Sequence, residues 1–150
     1  MADKGTEVVE DIANDPKTKS AVARLKGWGS SAVPPSVLAT LVIGLHMRPR
    51  QPLALLLFPA PLFAATYFNL AGYPTAAGGL TAAWSGLYAL TAMRRRQGLR
   101  GRFSVRGGVR GLAVGLGLVN AAAGGLVWLT GDFEKDERER KERNRWGIEE

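Results

Sequence analysis

Few residues in this 150-residue chain could do chemistry, and their placement narrows what that chemistry is. Cysteine is absent, so there is no thiolate nucleophile, no thiolate metal ligand and no disulfide. His46 is the single histidine, which rules out a multi-histidine metal site; beside Arg48 at the end of an apolar run, it reads as an interfacial side chain. All thirteen carboxylates fall within residues 3–15 and 132–150, and residues 27–131 contain none. Paired-acid catalysis, a proton relay and the cation site of a coupled transporter would each need acids inside that segment. Neither a P-loop nor a dinucleotide fingerprint is present, despite nineteen glycines. The expectation is a chain that is not an enzyme and holds neither cofactor nor metal.

Binding chemistry is left mainly to arginine. Arg94, Arg95, Arg96, Arg100, Arg102, Arg106 and Arg110 crowd one stretch together with four glycines. Nucleic acid would use such charges to neutralise phosphates, but Phe103 is the only stacking ring among them, and apolar runs flank the stretch on both sides. No nucleic-acid partner is expected. Anionic lipid headgroups fit better, because basic juxtamembrane residues contribute ~1 kcal/mol each at a charged bilayer surface. Ser85 and Asn120 stand near the centres of two apolar runs. Both are expected to hydrogen-bond between helices, where such bonds contribute ~0.6 kcal/mol on average.

The elements that must position these groups are four uncharged runs: residues 27–47, 53–73, 75–93 and 111–131. At ~1.5 Å per residue the last two make helices of about 28 and 31 Å, matching a hydrocarbon core of ~30 Å. The first run makes the shortest helix, because Pro34 and Pro35 divide it. A helix from near Pro34 to Met47 reaches only about 21 Å, so an extended lead-in with Trp28 at headgroup level is expected to complete the crossing. The alternative is a re-entrant or surface segment, leaving three spans. In the second run Pro59 and Pro61 remove the backbone bonds to Leu55 and Leu57, which predicts a kink.

Small residues recur at helical spacing. Gly78, Ala82 and Gly86 form a stripe in the third run; Gly111 with Gly115, and Gly117, Ala121 and Gly125, form two in the fourth. Such stripes let helix backbones approach closely, either against each other or against a partner subunit. If the Gly115 row is buried, Gly115→Leu should cost more than Leu116→Ala, by about 1–3 kcal/mol of overpacking.

Charge is expelled from the runs. The chain nets +7, with a neutral N-terminal segment, an acid-excess C-terminal segment and nine arginines between them. Residues 1–26 carry five acids and no long apolar core, which predicts neither a secretory signal nor a cleaved mitochondrial presequence. That segment is expected to be a flexible polar tail. Within residues 133–146 the pairs Glu134/Arg138, Asp136/Arg140, Glu137/Lys141 and Glu139/Arg143 predict a solvated helix, with Asp132 as N-cap. The organisation expected is all-α and polytopic: a polar tail (1–32), a membrane domain of four transmembrane helices arranged as two hairpins (33–131) and a charged helical tail (132–150).

Residues 77–88 (Ala-Gly-Gly-Leu-Thr-Ala-Ala-Trp-Ser-Gly-Leu-Tyr), the basic stretch after them, and Leu118-Val119-Asn120-Ala121 resemble the fungal altered inheritance of mitochondria protein 19 family. The similarity covers roughly residues 33–129. Trp84-Ser85-x-Leu87-Tyr88 and Asn120-Ala121 are its most specific pieces. It implies a small multi-pass mitochondrial membrane protein without an assigned biochemical activity. With the positive-inside rule, that address places the arginines in the matrix and both termini in the intermembrane space. The function expected is a non-catalytic accessory or assembly component of the inner membrane, associating with a larger membrane complex such as a respiratory-chain complex. The alternative is a small uncoupled transporter or channel.

Overall fold

The computed structural model describes residues 2–48, 50–94 and 104–144. The described residues form eight helices: α1 (Ala2–Asn14), α2 (Pro16–Gly29), α3 (Val33–His46), α4 (Pro52–Leu57), α5 (Pro59–Leu70), α6 (Pro74–Arg94), α7 (Val105–Thr130) and α8 (Phe133–Asn144). Four layers close into an up-down bundle. α6 and α7 pack along most of their lengths, α5 lies on α6, and α3 joins α5 back to α7.

Proline and glycine punctuate the helices where their chemistry requires it. α2, α4, α5 and α6 each begin on a proline, whose missing N–H has no intrahelical partner at that position in any case. The second apolar run is interrupted at Phe58 by the two prolines after it, and Pro52–Leu70 continues as one span-length unit. α5 ends in a Schellman turn: Tyr73 N–H donates to Phe68 O (2.9 Å) and Gly72 N–H to Asn69 O (3.1 Å). Gly72 takes φ +90° there, which glycine alone adopts without strain.

Two helices are long and apolar enough to cross a membrane, Pro52–Leu70 and Val105–Thr130. α2 with α3, bent by 60°, makes a third if the pair is one broken span. α6 is uncharged up to Arg94 and about 31 Å long, but glycine, alanine, threonine and serine make it less apolar than those two. It is also the helix enclosed by α5 and α7, so its packing face needs small residues more than greasy ones.

Small and polar side chains share the interior with Leu38, Val42, Phe58, Leu62 and Tyr88, while many large apolar side chains face outward. Ala65, Ala77, Ala89, Ala123, Thr75, Thr81, Ser85 and Asn120 are buried, while Leu53, Leu56, Phe63, Leu70, Leu112 and Leu129 are exposed. Water would penalise that apolar surface at ~25 cal/mol per Å²; hydrocarbon would not.

Both terminal segments depart from expectation. Residues 2–29 form α1 and α2, not a flexible tail, and α2 packs on α7. The physical reason is Gly29: a Cβ there would lie 2.4 Å from Ala123 O, so only glycine lets the end of α2 seat on α7. α7 begins at Val105, six residues before the uncharged run, because the Ser104 side chain caps it by accepting from Gly107 N–H (3.1 Å).

The C-terminal helix forms from its Asp132 N-cap, whose Oδ1 accepts from Glu134 N–H at 2.9 Å. It is docked, however, and not simply solvated. Asp136 is buried and accepts the Thr75 N–H at the start of α6 (2.9 Å), and the Arg140 guanidinium stacks 5.2 Å from the centre of the Tyr73 ring. Of the four expected pairs, Glu137/Lys141 forms (2.9 Å), joined by Lys135–Glu139 (3.7 Å) in the reverse order. Asp136 and Arg140 are drawn inward by α6 and Tyr73 instead.

Candidate functional site

Three arrangements in the bundle carry chemistry: the α6–α7 seam, a polar node at the α2–α3 break, and an arginine-rimmed cleft at the opposite end.

The seam is built from small residues. A Cβ on Gly124 would fall 2.6 Å from Gly78 O, and one on Gly117 would fall 3.1 Å from Ser85 O. Gly78 faces Gly124 and Val127, and Ala82 packs on Gly124. Ala121 lies nearest Gly86, while Gly125 only grazes Ala82. Gly111 and Gly115 stand apart from this seam. Both are exposed, and nothing lies within 4 Å of where their Cβ atoms would be. The face of α7 turned inward runs through Gly117, Ala121 and Gly124, which rotates the other glycine pair outward. The expected cost order at Gly115 and Leu116 therefore reverses, since Leu116 is the one packed against the core.

At the break between α2 and α3, Pro34 lacks the N–H that would have bonded Ser30 O four residues earlier. Asn69 from α5 donates its amide to that carbonyl at 2.7 Å. Thr66 shares its hydroxyl between Leu62 O (3.1 Å) and Ala32 O (3.4 Å). Asn120 spans the two helices: its Oδ1 accepts the Trp28 ring N–H (2.9 Å) and its Nδ2 donates to Pro34 O (3.1 Å). Trp28 therefore sits on the last turn of α2 and is tied to α7, in place of the extended lead-in expected of it. Ser85 is buried, and its hydroxyl has no hydrogen-bond partner among the described residues. The roles of Thr66 and Asn69 were not read from sequence, although each stands in an apolar run that offers few other side-chain donors.

Arg94 is exposed at the end of α6, and Arg95, Arg96, Arg100 and Arg102 lie outside the described residues. Arg106 and Arg110 belong to the first turns of α7 and act inside the protein. Arg106 Nη2 donates to Leu45 O (2.8 Å) and to Arg48 O, and Arg110 Nη2 donates to Ala92 O (2.7 Å). These carbonyls belong to the ends of α3 and α6, where orphan acceptors and the negative pole of the helix attract cations. A role in headgroup contact thus has to share these two guanidiniums with helix capping.

Beside them lies a cleft of about 590 Å³ between the ends of α3 and α6, the helix α4 and the start of α7. Leu45, Leu57, Phe58 and Tyr88 supply apolar wall, and Arg50, Arg106 and Arg110 are its cations. Phe58 meets Tyr88 edge-on at 5.3 Å and Trp84 at 6.4 Å, which rigidifies the inner wall. His46 Nδ1 lies 2.9 Å from Val42 O; a carbonyl can only accept, so that nitrogen carries the proton. Among the described residues no group of three His, Cys, Asp or Glu side chains is placed to hold a metal ion.

Compared with known protein families, curated proteins and solved structures, the chain has no match in any of the three.

Proposed function

We propose that this protein is a four-pass membrane protein, with α3, the α4–α5 pair, α6 and α7 as its spans, that serves as a non-catalytic assembly or accessory component docked sideways on a larger membrane complex. The observation that carries the docking reading is the unoccupied glycine pair on α7. Gly111 and Gly115 present bare backbone outward with Leu112 and Val119 exposed on the same side, a surface suited to the close approach of a foreign helix. Support for four spans comes from the bundle itself: α3 is only about 21 Å long, but Asn69, Thr66 and Asn120 satisfy the backbone freed at its start, as irregular backbone at membrane depth requires.

The address rests on the resemblance to the altered inheritance of mitochondria protein 19 family and on the arginines gathered at one end of the bundle. Together they favour the mitochondrial inner membrane with that end in the matrix and α8 in the intermembrane space.

The test is comigration on native gels after mild extraction. Gly111→Leu with Gly115→Leu should release the protein from the larger complex without lowering its own melting temperature, because neither site has a neighbour to clash with and each change removes a helical glycine. Migration of the unaltered protein only as a monomer or small homo-oligomer, with solute flux in liposomes, would overturn the reading in favour of a transporter.

A further inference from the structure

We propose that the cleft at the arginine end holds an anionic glycerophospholipid, its phosphate against Arg50, Arg106 and Arg110 and the upper part of an acyl chain against Leu57 and Phe58. The inference rests on the membrane reading above, which sets the cleft mouth at headgroup depth.

Charge comes first. Three guanidiniums share one cavity, and residues 27–131 contain no carboxylate to neutralise them. Arg106 and Arg110 each commit one nitrogen to backbone carbonyls, which fixes the planes of their forks, and the remaining N–H groups have no acceptor among the described residues. A guanidinium has five donors, so Arg110 keeps one two-pronged face for two oxygens of a phosphate, while Arg106, whose Nη2 already serves two carbonyls, offers its Nε and Nη1 hydrogens singly. Arg50, exposed on the short turn before α4, has no partner among the described residues and completes the rim.

Shape and access select an amphiphile over a small hydrated anion. A volume of about 590 Å³ lies within the ~300–1,000 Å³ typical of ligand sites, far more than a phosphate alone would fill. The inner wall is leucine, phenylalanine and the tyrosine ring, which offer a chain contact and a bare anion nothing. Leu53 and Leu57 line the cleft and are also exposed at 76% and 40%. An acyl chain can therefore pass α4 sideways from hydrocarbon without crossing water.

The test uses the full chain purified in neutral detergent and titrated with phosphatidylglycerol, with phosphatidylcholine of the same chains, or with inorganic phosphate. Thermal shift and native mass spectrometry are the readouts. Phosphatidylglycerol should bind and stabilise at concentrations where the other two do not. Arg50→Gln, at a site that holds nothing else, should weaken that binding about fivefold, and adding Arg110→Gln roughly 25-fold in total, from ~1 kcal/mol per arginine. Ala54→Trp keeps every arginine but fills the cleft, and should also abolish the preference. Equal affinity for the two lipids, equal stabilisation by phosphate alone, or phosphatidylglycerol binding untouched by Arg50→Gln would overturn the proposal. Vesicle flotation separates the two readings. Protein that does not insert fails the membrane reading, whereas protein that inserts without a phosphatidylglycerol preference fails this proposal alone.

Discussion

Gly124→Ala and Gly115→Ala add the same methyl group to the same helix, and they should have opposite consequences. Each replacement removes the backbone-entropy penalty of a helical glycine, about 1 kcal/mol, so that gain cancels between the two variants. At Gly115 the methyl meets nothing within 4 Å. At Gly124 it would lie 2.6 Å from Gly78 O and 3.1 Å from Ala82 N, both backbone atoms that cannot rotate away. Relieving the contact to an ordinary carbon–oxygen distance of roughly 3.3 Å requires α6 and α7 to separate by about 0.7 Å. A radial gap of that size forfeits roughly a quarter to a half of each dispersion contact along the seam. Overpacking of this kind costs about 1–3 kcal/mol, which is the expected stability difference between the variants. Unfolding in mixed detergent micelles, followed by tryptophan fluorescence, measures it. Equal midpoints, or a lower midpoint for Gly115→Ala, would refute the assignment of the inward face of α7.

Asn120→Leu strips the partner from the Trp28 ring N–H and one from Pro34 O, and should cost about 1–3 kcal/mol and loosen α2 from α7; faster amide exchange confined to the end of α2 and the start of α3 would register it. Asp136→Ala leaves the Thr75 N–H at the α6 N-terminus without its carboxylate, an expected loss of about 1.5–3 kcal/mol read as faster proteolysis near Gly131. The Lys141 ammonium, hydrogen-bonded to Glu137, lowers the pKa of that carboxyl. A lowered folded value means the stabilising contribution is present above the ordinary glutamate range and is lost as pH falls through the folded value, so α8 amide protection should drop on acidification, and Glu137→Gln should flatten that dependence. Leu116→Ala should destabilise more than Gly115→Leu, which the same micelle unfolding assay compares.

The four apolar runs were legible because charge is excluded from them over whole helix lengths, and the proline positions marked the starts of α3 and α5 to within about one residue. Which glycine face of α7 turns inward was not legible. Gly111/Gly115 and Gly117/Ala121 are equally small, and the choice is made by where Val127 and Leu116 find partners on other helices. Residues 16–29 read as a tail because their composition is polar. They pack along α7, with a close approach at Gly29 and a hydrogen bond from Trp28, both to residues about ninety positions away. The regular spacing of four in α8 named helical pairs correctly as neighbours, but could not register that Asp136 has a stronger use at the end of α6. In the sequence Arg106 and Arg110 belong to one basic stretch, and Ser104 offers only a weak capping signal among its glycines and arginines. Once α7 starts at Val105, both arginines fall within reach of neighbouring helix ends.

In the proposed four-pass arrangement the bundle has its arginine end on one side of the bilayer and both termini on the other. At the mitochondrial address proposed above, epitope tags at the two ends, exposed to protease once the outer membrane alone has been opened, test this directly. Both tags should be clipped while the arginine end stays protected. Clipping of the C-terminal tag alone would mean that α2 and α3 enter and leave on the same face, contradicting the four-pass bundle.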